Sequence, residues 1–167
     1  MVLVLIGVSG AGKSTVGKLL ARTLQFEFYE GDDYHTEASK QKMRSGVPLT
    51  DRDRQPWLEA IRALIASIQA RNGNAVIACS ALKRAYRAYL RAESVQFVYL
   101  KADPALTRER LERREGHFFN PLLLESQFET LEEPRHAVVV SAEKPVSEIV
   151  AEIVHRVCPP RPADSPQ

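Results

Sequence analysis

The 167-residue chain has no apolar run long enough to cross a membrane, and so no membrane partner is expected. It has two cysteines, Cys79 and Cys158, far apart in sequence. That excludes a disulfide framework and any cysteine-based metal motif, and fits two reduced thiols in a cytoplasmic protein. A net charge of +2 gives no basic stripe of the kind that nucleic acid demands, so no nucleic-acid partner is expected. The opening residues lack a charged start and a small-residue cleavage site, and read as a strand rather than a signal peptide. No internal repeat or low-complexity linker interrupts the chain before its end. Residues 158–167 hold four prolines and are expected to be a disordered tail to a single domain spanning 1–157.

What is present is concentrated near the start. Gly7-Val8-Ser9-Gly10-Ala11-Gly12-Lys13-Ser14 fits the pattern glycine, any four residues, glycine, lysine, serine or threonine, and Thr15 follows at once. The apolar run Val2–Ile6 precedes it and reads as a doubly buried strand, while Val16, Leu19, Leu20 and Leu24 recur at helical spacing after it. The glycines therefore sit where a strand hands over to a helix. There they let successive N–H groups curl inward, and the first helical turn adds unpaired N–H groups and the positive end of its dipole. Gly7, Ser9, Gly10, Ala11, Gly12, Lys13, Ser14 and Thr15 are thus the candidate nucleotide-binding set, with the Lys13 ammonium reaching the outer phosphates and the Ser14 hydroxyl a ligand for Mg²⁺.

Strand and helix alternate through the rest. Strands are predicted at 26–29, 75–80, 95–100 and 137–140. Thr36 is expected to cap a short helix ending near Ser45, and Asp51 to cap a long one closing near Asn72-Gly73. Asp103-Pro104 opens an arginine-rich helix ending near Gly116, a further helix covers about 122–130, and Val146 to Val157 carry a clean apolar face. This pattern predicts an α/β fold, a five-stranded parallel sheet with helices on both faces and a small helical lid at about 110–131.

A phosphate loop binds nucleotide without naming the acceptor. The Asp-x-x-Gly and Asn-Lys-x-Asp motifs of signalling GTPases are absent, and the third strand runs out into Cys79-Ser80-Ala81-Leu82-Lys83 with no acidic residue for a mechanical ATPase. Lysine there suits an anionic acceptor. Together with Gly31-Asp32-Asp33-Tyr34-His35, Lys42-Met43, the stretch from Gly46 to Leu58, Tyr86-Arg87, Gly116-His117-Phe118-Phe119 and Ser126-Gln127-Phe128-Glu129-Thr130-Leu131-Glu132, the chain resembles the gluconate kinases. It departs from their usual pattern at Glu30, Thr36 and Ser39.

The resemblance implies ATP-dependent phosphorylation of D-gluconate at its terminal hydroxyl, with relatives that can dimerise. Asp32 is then the candidate base or orienting carboxylate, against a plain turn residue. Glu30 is a candidate to hold a metal-bound water, and Asp33 a further acidic candidate. His35 either bonds substrate hydroxyls or pins its loop. The acceptor's carboxylate needs a cation, and Arg54, Lys83 and Arg87 are the candidates, against a solvated basic face. Trp57 either walls the sugar pocket or belongs to the core. Arg110 and Arg114 lie four apart on the helix entering the lid, and Arg114 is the first choice to meet the phosphates on closure. Adenine is expected near 142–145. A kinase for another small acceptor, or a nucleotide sensor without catalysis, remain the alternatives.

Overall fold

In the computed structural model, which describes residues 1–113 and 121–159, five parallel strands form one sheet in the order β2-β3-β1-β4-β5. They are β1 (Val2–Ile6), β2 (Glu27–Glu30), β3 (Ala75–Ala78), β4 (Val95–Lys101) and β5 (Val138–Ser141). β1 is central, with Val4 in register with Ile77 on one side and Phe97 on the other. All five of its residues are buried, which is why the run contains no polar side chain.

Alternation along β1 divides the core in two. Leu3 and Leu5 face one layer with Val76, Val98 and Leu100, closed by Val16 and Leu20 of α1 (Lys13–Leu24) and Ile149 and Ile153 of α7 (Val146–Val157). Val2, Val4 and Ile6 face the other, closed by Trp57, Ile61, Ile65 and Ile68 of α3 (Asp51–Ala70) and Tyr86 and Leu90 of α4 (Arg84–Leu90). The chain completes β2 and β3 on one side of β1 and then crosses to β4 on the other. A crevice therefore opens beyond the carboxyl ends of the strands, where such sheets bind ligands.

The remaining helices are α2 (Glu37–Arg44), α5 (Pro104–Glu112) and α6 (Pro121–Thr130). Their caps follow the sequence closely, with one exception. Thr36 Oγ1 accepts from the Ser39 N–H at 3.1 Å, and the Asp103 carboxylate accepts from the N–H of Ala105 at 2.8 Å. The cap of α3, however, is Thr50 and not Asp51. Thr50 and Asp53 form a reciprocal capping box, with Thr50 N–H to Asp53 Oδ2 at 2.9 Å and Asp53 N–H to Thr50 Oγ1 at 3.2 Å. The box needs an acceptor three residues beyond the cap, which Asp53 supplies for Thr50. Asp51 is thereby left for another partner. The expected helix end near Gly116, part of the 110–131 lid and nearly all of the tail lie outside the described residues.

Candidate active site

Two joined cavities occupy the crevice. The larger, about 520 Å³, is lined by every residue from Ser9 to Val16, with Glu30 and Asp32 on one side and Arg110, Ala142, Lys144, Val146 and Ile149 on the other. The smaller, about 90 Å³, is lined by His35, Pro48, Leu49, Arg54, Ser80, Leu82, Tyr86, Ser126 and Thr130. Ser9, Lys13, Asp32, Met43, Leu123 and Gln127 border both. Site residues that the sequence places far apart thus converge on one junction.

The loop's shape depends on glycine. Gly10 has φ +80°, and a Cβ there would fall 2.8 Å from the Thr107 carbonyl oxygen of α5. Gly7, expected in the nucleotide set, does not line the cavity. It lies beneath the loop, where a Cβ would meet the Leu100 carbonyl oxygen at 2.8 Å, so it contributes close packing of the loop onto β4. Lys13 Nζ donates to the Val8 carbonyl at 3.0 Å, which holds the ammonium across the loop at the junction.

The acidic side of the cavity comes from the end of β2. Burial raises the Glu30 carboxyl above its ordinary value, opposed by a hydrogen bond with Ser14. Asp32 follows in a short 3₁₀ turn, Gly31–Tyr34. The turn is pressed against β3, since a Cβ on Gly31 would lie 2.4 Å from the Ala78 carbonyl oxygen. From the other side, Trp57 Nε1 donates to the Gly31 carbonyl at 2.8 Å. Trp57 is therefore a core residue, 1% exposed, that braces the acidic turn rather than an open pocket wall.

His35 is 7% exposed and stacks on Trp57, with ring centroids 4.6 Å apart and planes 8° from parallel. Its Nδ1 is buried in a wall of the small cavity and has no hydrogen-bond partner among the described residues. Burial lowers its pKa below the ordinary 6.5, against the opposing pull of Asp32. The folded protein thus holds this ring neutral where the unfolded chain would protonate it. Its contribution to stability is complete above pH 6.5 and is lost as the pH falls from there toward the folded-state value, by up to about 1.4 kcal/mol per pH unit. Urea melts of wild type and His35→Gln between pH 5 and 7.5 check this: the wild type is expected to carry the extra acid sensitivity and the variant to lack it.

The three cations proposed for an acceptor carboxylate separate. Arg54 lies in the small cavity, its Nη1 donating to the Leu49 carbonyl and its guanidinium 5.9 Å from the Tyr86 ring centre. Lys83 and Arg87 are not brought to either cavity. Lys83 caps α4 without a side-chain bond to it and spans to Asp51, at 2.7 and 2.8 Å from its two oxygens. That pair, with the Tyr86 hydroxyl also on Asp51, ties α4 to the start of α3. Arg87 is 6% exposed and donates to the carbonyls of Ala81 at 3.0 Å, Leu82 at 2.6 Å and Glu132 at 2.6 Å. Burial lowers its pKa. It clamps the turn after β3, where Ala81 adopts φ +35°, and so supports Ser80 and Leu82 from behind the cavity. A buried arginine shared among three carbonyls is a brace, so Lys83 and Arg87, both candidates for the acceptor's carboxylate, are each engaged by other groups in this structure.

Arg110 borders the large cavity and donates to the Ala142 carbonyl at 2.8 Å. Arg114 lies outside the described residues. Gln127, quoted above only as part of a motif, stands at the junction: its Oε1 accepts from the Ser9 N–H at 2.7 Å and its Nε2 donates to Ser9 Oγ at 2.9 Å. No local pattern signals this contact across 118 positions. Cys79, beneath the site, is fully buried with its thiol pushed up to about 12, which removes it as a nucleophile. Among the described residues no group of three or more His, Cys, Asp or Glu side chains could hold a metal.

The shikimate kinase family model matches residues 9–158. The chain is 42% identical over 157 residues to the thermoresistant gluconokinase of Escherichia coli (strain K12), covering 90% of each protein. A crystal structure of a gluconokinase from Sinorhizobium meliloti 1021 matches with a TM-score of 0.81 at 44% identity, over 90% of this chain and 87% of that one. Shikimate kinase from Aquifex aeolicus matches at 21% identity with a TM-score of 0.58, over 94% of this chain and 96% of that one, a likeness of fold alone.

Proposed function

This chain belongs to the gluconokinases, within the wider shikimate kinase family, and on that footing we propose that it transfers the γ-phosphoryl group of ATP to the terminal hydroxyl of D-gluconate, giving 6-phospho-D-gluconate and ADP. The observation that carries this reading is the junction itself. A loop of amides with an ammonium group and a carboxylate, Lys13 and Asp32, meet where a large cavity opens into a small one. Phosphoryl transfer asks for in-line placement of a hydroxyl and neutralised phosphates, and little else.

The triphosphate lies along Gly10 to Thr15, with Lys13 at the β- and γ-phosphates. The base lies toward Ala142, Lys144, Val146 and Ile149, and Arg110 flanks it. Asp32 accepts the hydrogen bond of the acceptor hydroxyl and aims its oxygen at phosphorus. Arg54 receives the acceptor's carboxylate, and Nδ1 of neutral His35 accepts a hydrogen bond from one of its hydroxyls. Arg114 would meet the phosphates on closure of a 110–131 lid, a role resting on the family resemblance.

Ser14 and Glu30 also suit Mg²⁺. A hydroxyl beside a half-buried carboxylate offers the sparse oxygen set this ion takes when phosphates and waters complete its shell. Bound there, the ion would supply charge neutralisation to the phosphates. No described helix is long and apolar enough to cross a membrane. We place the enzyme in the cytoplasm, in the use of gluconate, which also suits its free cysteines.

A coupled assay with ATP and Mg²⁺ across gluconate, other aldonates, shikimate and nucleoside monophosphates tests the reading. Gluconate is expected to have the highest kcat/KM; a higher value for another acceptor would overturn it. Arg54→Ala is expected to lower kcat/KM for gluconate by roughly 10- to 100-fold, chiefly through KM, by leaving the carboxylate without its charged partner. Lys83→Ala should change that KM little, and steady-state kinetics on the two variants separate them.

A further inference from the structure

Gln127 and Ser9 form a direct side-chain tie between α6 and the phosphate loop, and its geometry is chemically determined. A backbone N–H can only donate, so the amide oxygen of Gln127 must face Ser9 N; the amide nitrogen then faces Ser9 Oγ, which accepts. Both ends of one neutral side chain are thus engaged by one residue, at 2.7 and 2.9 Å. Ser9 is the third residue of the loop and, with Gln127, Lys13 and Asp32, borders both cavities. The same helix sends Leu124 to the nucleotide side, Ser126 and Thr130 to the acceptor side, and Leu123 to the border of both. α6 is therefore a shared wall, and Gln127 is where that wall grips the loop.

We propose that Gln127 is a positioning residue for phosphoryl transfer, acting through Ser9 to hold the leading edge of the phosphate loop in register with the acceptor wall. The proposal deepens the kinase reading above and rests on it. The cradle from Gly10 to Thr15 makes most of the contact with nucleotide and does not need Gln127, so ATP affinity does not depend on it. The alignment of the γ-phosphoryl group with the acceptor hydroxyl does. A neutral amide is the required chemistry: a carboxylate could keep both bonds, since the Ser9 hydroxyl can turn to donate, but it would put a negative charge beside the path of the phosphoryl group.

The test is steady-state kinetics, ATP titration and thermal melting on Gln127→Ala, Gln127→Glu, Ser9→Ala and the Gln127→Ala/Ser9→Ala pair. Gln127→Ala is expected to lower kcat by about 10- to 100-fold, the scale of a slightly misplaced reacting group, with the ATP dissociation constant within about twofold of wild type. Gln127→Glu should fall at least as far with its melting temperature unchanged. Ser9→Ala should cost much less in the Gln127→Ala background than in wild type. The proposal is overturned by kcat within twofold of wild type, by a loss shared equally between kcat and ATP affinity, or by additive effects in the cycle. Wild type inactive on gluconate would defeat the functional reading instead; the same variants are then compared on whichever acceptor is used, or on slow hydrolysis of ATP by water, with the same two outcomes.

Discussion

Lys13→Ala is expected to lower kcat by at least about 10²- to 10³-fold while leaving the fold intact. The ammonium lies across its own loop at 3.0 Å from the Val8 carbonyl, at the junction of the two cavities. In the proposed reaction it is the charge that follows negative charge as it shifts onto the leaving β-phosphate. The positive φ at Gly10 and Gly12 and the packing beneath Gly7 shape the loop, so it is expected to persist without the ammonium. Circular dichroism and melting should therefore match wild type while turnover collapses. Lys13→Arg should not rescue, since a longer planar fork cannot occupy the place of a compact ammonium. Turnover within tenfold of wild type for the alanine variant would remove the phosphate-loop assignment.

Asp32→Asn is expected to reduce kcat by about 10²- to 10⁴-fold, the range for a positioned proton acceptor, with ATP affinity close to wild type. The substitution keeps size and hydrogen-bonding shape. The turn it sits in is held by backbone and by Trp57, through the His35 N–H to Asp32 carbonyl bond at 3.3 Å and the Trp57 bond to Gly31. Structure should thus survive and only the charge should go. Steady-state kinetics with a separate nucleotide titration reads the split. Equal losses in kcat and ATP affinity would mean that Asp32 holds nucleotide rather than aiming the acceptor.

The parts of this protein governed by local chemistry were legible in its sequence. An unbroken apolar run before a glycine loop could only be a doubly covered strand, and β1 is that. Thr36 and Asp103-Pro104 announced their helices by capping chemistry alone. The expectation of Asp51 as the cap of α3 passed over its neighbour Thr50, which has an acceptor three residues on, Asp53, and that spacing was open to view in the sequence. Lys83 and Arg87 illustrate a harder limit. A basic side chain after a strand invites an anion, yet Arg87 meets three carbonyls, one of them at Glu132, and backbone carbonyls leave no trace in residue type. Gln127 was invisible for the same reason in reverse: its partner is a loop residue 118 positions away.

The atom that receives the phosphate decides the assignment. Incubating the protein with ATP, Mg²⁺ and D-gluconate and reading the product by ³¹P and ¹³C NMR tests that most directly. A single phosphomonoester coupled to the primary carbon C6, with ADP formed in equal amount, is the expected result. ADP formed without a sugar-acid ester, or an ester on any other carbon, would contradict it.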